Sequence, residues 1–145
     1  MTSLLKYNID TNWTEETTLE TNLTSLANAG TAVGAAITNG SNLALLADLS
    51  IQLASITSAS PDYLEVHIIP LLGDGSTYAD FFAGGPTLVV SISTTNGASA
   101  KALIARGIVI PPGTFKFGVV NEDGVTLSGT APKCYYRLYD YTDNG

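Results

Sequence analysis

Two side chains bound the chemistry this chain can perform. His67 is the only histidine and Cys134 the only cysteine in 145 residues. A Ser-His-Asp relay would have to use His67. That residue falls mid-strand in an alternating run, on the same face as Glu65, where a partly exposed structural histidine is expected. No G-x-S-x-G elbow accompanies it. Cys134 alternates with bulky residues, so a buried, inert thiol is expected, and a single cysteine excludes an intrachain disulfide. A zinc site needs three or four converging ligands, which one His and one Cys do not supply. Asp74 and Asp80 offer oxygen ligands for calcium, but the Gly73–Asp80 stretch lacks the D-x-D-x-D-G register and reads as a surface turn. Glu15-Glu16 and Glu122-Asp123 are adjacent acids, one pair in an N-terminal arm and one in a tight turn, not two carboxyls flanking a cleft. Gly84-Gly85-Pro86 lacks the Lys-Ser/Thr of a phosphate loop. The expectation is a protein without catalytic residues, metal or cofactor, one that binds or builds.

The richest cluster is aromatic. Tyr135, Arg137, Tyr139 and Tyr141 alternate on one face of the last strand-like run, with Cys134, Tyr136 and Leu138 on the other. Tyr and Arg are enriched in interface anchors, and a flat tyrosine face also suits sugar stacking. Packing of this face against the arm or a partner is favoured over a carbohydrate site.

These residues need elements to hold them, and the pattern is β. Leu49, Ile51 and Leu53 alternate with Asp48, Ser50 and Gln52, the mark of a half-buried strand. Leu64, Val66 and Ile68 alternate with Tyr63, Glu65 and His67; further runs are Leu88 to Ile92, Lys101 to Ile110, Phe115 to Val119 and Cys134 to Tyr141. Turns are signalled at Ser60-Pro61-Asp62, Asn96-Gly97, Pro111-Pro112-Gly113 and Asn121–Gly124, and a short strand at Val125 and Leu127 is expected after the last. Seven to nine short strands without an alternating helix pattern predict an antiparallel sandwich, and a jelly roll is favoured over an immunoglobulin-like fold. Residues 1–25 read as an N-terminal arm and 26–145 as a single β-sandwich domain. Within the arm, Leu19, Leu23 and Leu26 have helical spacing, but the surrounding threonines disfavour a helix, so an extended arm entering a first strand is expected, with a short helix as the alternative.

Charge and composition exclude other classes. Charged residues make up 13% of the chain, against roughly 25% in an average soluble protein. Net charge is −7, and only one of the six bases, Lys6, lies within the first 100 residues. No Lys/Arg cluster exists to neutralise phosphates, so nucleic acid is not an expected partner. No run approaches eighteen apolar residues, so no membrane span is expected. The first six residues lack the basic start and apolar stretch of an export signal.

Several motifs in order resemble small virion proteins of tailed bacteriophages. They are Leu23 to Gly30 with Ala32-Val33-Gly34; Val66 to Pro70 followed by Asp74-Gly75-Ser76-Thr77-Tyr78-Ala79-Asp80; Ile110 to Phe117 with Asn121 to Gly124; and Tyr136-Arg137-Leu138-Tyr139. The resemblance implies a jelly-roll capsid decoration or cement protein that bridges major capsid proteins on the virion surface, assembled in the host cytoplasm as a homo-oligomer, with a trimer favoured. On that reading Trp13, Leu19 and Leu23 of the arm are the partner-binding residues, and deleting residues 1–18 leaves the sandwich folded. The alternative is a receptor- or glycan-binding jelly roll of a tail or fibre, using Tyr135, Arg137 and Tyr139 and the Asp74–Asp80 loop.

Overall fold

Alternation of apolar and polar residues is realised as two facing sheets. The computed structural model describes residues 5–9, 12–40, 43–57, 62–94 and 99–143. Among them are ten strands and one helix: β1 (Leu5–Ile9), β2 (Thr14–Glu15), α1 (Thr17–Leu23), β3 (Thr31–Val33), β4 (Ile37–Asn39), β5 (Leu46–Ile56), β6 (Tyr63–Pro70), β7 (Leu88–Ser93), β8 (Ser99–Val109), β9 (Gly113–Glu122) and β10 (Lys133–Asp143). Sheet A runs β1-β10-β5-β8, with β2 also paired to β10; sheet B runs β3-β9-β6-β7, with β4 also paired to β9. All pairings are antiparallel. From β5 to β6 and from β7 through β10 the chain crosses between the sheets, which makes the sandwich a jelly roll.

The inward residues interlock as period two requires. Leu49 and Ile51 of β5, Leu64 and Val66 of β6, and Phe115, Phe117 and Val119 of β9 are fully enclosed. The Phe115 and Phe117 rings meet edge to face at 5.5 Å, and Phe117 also approaches Tyr136 at 6.1 Å. Cys134 is buried here, as the sequence implies. Burial pushes its thiol up to about 12, helped by the nearby Glu20 and Glu16.

The expected extended arm is corrected. Residues 17–23 form a helix whose i, i+4 pair, Leu19 and Leu23, is entirely buried in the chain's own core. Packing overrides the low helix propensity of the threonines. The helix start is held by Glu16, whose Oε1 accepts from Thr18 N–H and whose Oε2 accepts from Ala35 N–H. Gly34 makes room for that carboxylate, since a Cβ there would lie 2.7 Å from Glu16 Oε2. Glu20 accepts the Cys134 N–H at 2.9 Å and ion-pairs with Lys133. The segment ahead of the helix adds β1 and β2 to sheet A along β10.

The structure corrects other expectations. Val125 and Leu127 form no strand; Leu127 is buried and its N–H bonds Leu26 O. The Asn96-Gly97 turn, and Ser60 and Pro61 of another, lie outside the described residues. His67 is not partly exposed but fully buried. It faces away from the core, yet the long β6–β7 connection folds over it and sets Phe81 edge-on at 4.8 Å. Gly118 opens the space for that ring, because a Cβ would stand 2.8 Å from Phe81 Cζ.

Candidate functional site

The outer face of sheet A brings aromatic and polar groups together. Ser50 of β5 pairs with Tyr135 of β10 on one side and Ile104 of β8 on the other. Pairing in register points all three side chains the same way, in one row across three strands. Gln52 stands two residues along β5 on the same face. Trp13, just ahead of β2, overhangs the row. These five residues line an open groove of about 390 Å³. Its walls are apolar and aromatic, with Ile104 41% and Trp13 37% exposed, while a hydroxyl and a carboxamide lie between them. Few polar groups set among apolar walls is the usual composition of a small-ligand site.

A buried ionic network behind the groove holds Trp13. Asp48 lies on the outward side of β5, yet is only 2% exposed. Its Oδ2 accepts from Arg137 Nε at 2.9 Å and from a terminal nitrogen of the same guanidinium at 2.7 Å. Its Oδ1 accepts from Gly107 N–H at 2.9 Å and Tyr139 O–H at 3.0 Å. Four donors occupy the carboxylate's lone-pair sites. Burial alone would raise the Asp48 pKa, but the bonds from Gly107, Arg137 and Tyr139 outweigh it and hold the carboxyl below its ordinary value. Arg137, fixed from below, presents its guanidinium to the Trp13 ring 4.7 Å away. Cation–π attraction thus sets the indole at the groove mouth.

Gly107 makes this network possible. Ala47 pairs with Ile108 and Leu49 with Ala105, so Arg106 and Gly107 together face Asp48 in a β-bulge. Gly107 has φ of +65°, a conformation side chains rarely adopt, and the bend directs its N–H at the carboxylate.

The residues singled out in the sequence divide accordingly. Tyr135 lines the groove and Trp13 roofs it. Arg137 lies beneath Trp13 as a support. Tyr139 is 8% exposed and spends its hydroxyl on Asp48, so Tyr135, Arg137 and Tyr139 do not form one flat platform. Leu19 and Leu23 are sealed in the core, which removes them as partner-binding residues. Ile104 and Asp48 were not foreseen as site residues. Ser50 and Gln52 were legible only as the polar side of β5.

Elsewhere the chemistry-bearing groups are committed to structure. His67 bonds Thr87 Oγ1 at 3.0 Å through Nδ1 and Glu65 Oε2 at 3.2 Å through Nε2, and Glu65 also takes the Gly84 N–H. That chain fastens the β6–β7 connection onto sheet B. Asp74 is exposed and accepts the N–H groups of Ser76 and Thr77, which closes its own turn; hydrogen bonds from the Thr77 side chain and then the Thr77 and Ser76 N–H groups lower its pKa to about 2. Asp123 is fully buried and takes the Thr94 hydroxyl on Oδ1, while its Oδ2 has no hydrogen-bond partner among the described residues. Among the described residues no three His, Cys, Asp or Glu side chains converge on a metal position, and no helix is long and apolar enough to cross a membrane.

Comparison with known proteins corrects the resemblance drawn from the motifs. No family model and no curated protein matches the chain. A solved structure similar to it is a carbohydrate-binding module, CBM36, in complex with calcium and xylotriose. That likeness covers 98% of this chain and 100% of the module at 13% identity, with a TM-score of 0.42, and carries no functional argument by itself. That structure is of a sugar-binding module and not of a virion protein, and Leu19 and Leu23, which the virion reading needed for its partner, are sealed in the chain's own core. The capsid decoration and cement reading is withdrawn. With it go the major capsid protein and the trimeric homo-oligomer as partners, and the virion surface as location. The motifs that suggested it are turns and strand ends common to antiparallel sandwiches: Asp74 closes an Asx turn and Asn121 holds the β9 turn by accepting the Asp123 N–H.

Proposed function

We propose that this chain is a non-catalytic glycan-binding module, with the outer face of sheet A as its binding surface. The observation that supports this most is the groove composition: Trp13, Tyr135 and Ile104 as walls, Ser50 and Gln52 between them. A pyranose has a C–H face and a rim of hydroxyls. Aromatic faces suit the first, and groups that both donate and accept hydrogen bonds suit the second. The groove volume falls within the range of small-ligand sites, roughly 300–1,000 Å³, and its open side lets an oligosaccharide extend beyond either end. Support from Arg137 orders Trp13 before any ligand arrives, which lowers the entropic cost of binding.

Trp13 is the only tryptophan, so its fluorescence reports the groove directly. Titration with xylo-, cello-, manno- and galacturono-oligosaccharides is expected to give a saturable change with at least one of them. Trp13→Ala or Tyr135→Ala, followed by calorimetry, should weaken that ligand at least about tenfold, which corresponds to about 1.4 kcal/mol. Absence of saturation across the panel would overturn the reading.

A further inference from the structure

Among the described residues, the basic side chains on the outer face of sheet A are ion-paired, with one exception. Lys133 binds Glu15 at 2.6 Å and Glu20 at 3.2 Å. Arg137 binds Asp48 at 2.7 Å. Arg106 of β8 has no side-chain ion pair or hydrogen bond among the described residues, and it is exposed. It stands two positions from Ile104, on the same face of the strand, about 7 Å along it. Leu103 and Ala105 point into the core on either side, which fixes that direction.

Asp48 does not neutralise it, although the Arg106-Gly107 bulge faces that residue. All four lone-pair sites of the carboxylate are filled by Gly107, Tyr139 and Arg137. An uncommitted guanidinium therefore borders the groove of a chain whose net charge is −7. Its planar fork of donors matches a carboxylate held by two parallel bonds. Sugars bearing such a group are uronates. Resting on the glycan-binding reading, we infer that the groove selects acidic, uronate-bearing glycans and that Arg106 binds their carboxylate while Trp13, Tyr135 and Ile104 hold the sugar faces. At physiological salt a charge acts over about 8 Å, so the distant acids of the chain do not mask Arg106 from a ligand in the groove.

The test uses the full chain and Trp13 fluorescence. Oligogalacturonate and oligomannuronate are each titrated beside the carboxyl-reduced neutral oligosaccharide of the same linkage. At least one acidic form should bind about tenfold or more tighter than its neutral counterpart at low salt, and the ratio should shrink as salt rises. Arg106→Gln should erase that ratio, and Arg106→Lys should restore part of it. Equal binding of acidic and neutral forms, or a preference that survives in Arg106→Gln, would overturn the inference while leaving the glycan reading intact. Failure of every acidic and neutral sugar would overturn both. Poly-glutamate binding as tightly as the uronates, and unaffected by Trp13→Ala, would show an acidic-peptide site and also overturn it.

Discussion

Asp48→Asn would remove one acceptor oxygen from beneath four donors and leave Arg137 without its counter-charge. Breaking a buried ion pair by removing one partner typically costs about 3–5 kcal/mol, and denaturant unfolding should show a loss at the lower end of that range because Arg137 is 16% exposed. The same change frees Trp13, so ligand affinity should fall although Asp48 does not line the groove. The pH dependence follows from the direction of the Asp48 shift. Its folded pKa lies below the ordinary 3.8, so the unfolded chain takes up the proton first. The stabilisation is present above about pH 4 and is lost as pH falls through the folded value. Urea midpoints measured from pH 6 down to pH 2 should drop for the parent chain and drop less for Asp48→Asn. Cys134 gives an independent check on packing: with its pKa near 12 it should resist alkylation at pH 8 in the native state and react on unfolding. At this scale aromatic type and strand parity marked Tyr135 as a candidate for an exposed face, Trp13 as an arm anchor and Cys134 as a buried thiol. It hid Asp48, whose fourfold bonding joins β5 to β8 and β10, contacts distant in the chain.

Strand β8 shows why Ile104 escaped notice. Ile108 and Ile110 are buried, and an unbroken period of two would bury Ile104 with them. The bulge at Gly107 flips the phase, so Leu103 and Ala105 point inward and Ile104 outward. A glycine inside a strand pattern is the one sequence signal of such a break. Gly107→Ala meets no close neighbour, its nearest being Tyr139 Oη at 3.9 Å, so its cost is conformational. A loss of roughly 1 kcal/mol is expected in chemical denaturation, from the left-handed φ alone. Gly118→Ala is a different case, since its Cβ would collide with Phe81 and Ile69. It should cost about 1–3 kcal/mol and lift the connection over His67, read as faster amide exchange at Gly84. Helix α1 departs from the expected extended arm for a third reason: threonine propensity is a local quantity, and the burial of Leu19 and Leu23 that overrides it is not.

For the whole molecule, alternation and turn chemistry were enough to give an antiparallel jelly roll, because each strand displays its two faces in its own residues. They were not enough to separate arm from body. β1 hydrogen-bonds along β10, and α1 fills the core beside β3 and β10, so the N-terminal segment is part of the sandwich. Deleting residues 1–25 should therefore leave an unfolded or aggregating chain with no cooperative thermal transition, whereas a dispensable arm would leave the melting temperature unchanged. Exposing the β10 edge makes aggregation the expected form of failure. Function was the least legible level. A row such as Tyr135, Ser50 and Ile104 is assembled from three strands by register, and no local motif marks it.

The outer face of sheet A is the proposed receiving surface for a sugar. Backbone-amide and indole NMR shifts, followed while the tightest-binding oligosaccharide of the panel is titrated in, test it most directly. The largest changes should fall on the Trp13 indole N–H and on the amides of Ser50, Gln52, Ile104 and Tyr135. Changes concentrated instead on the Leu71–Thr87 connection, or an unchanged spectrum at saturating sugar, would contradict it.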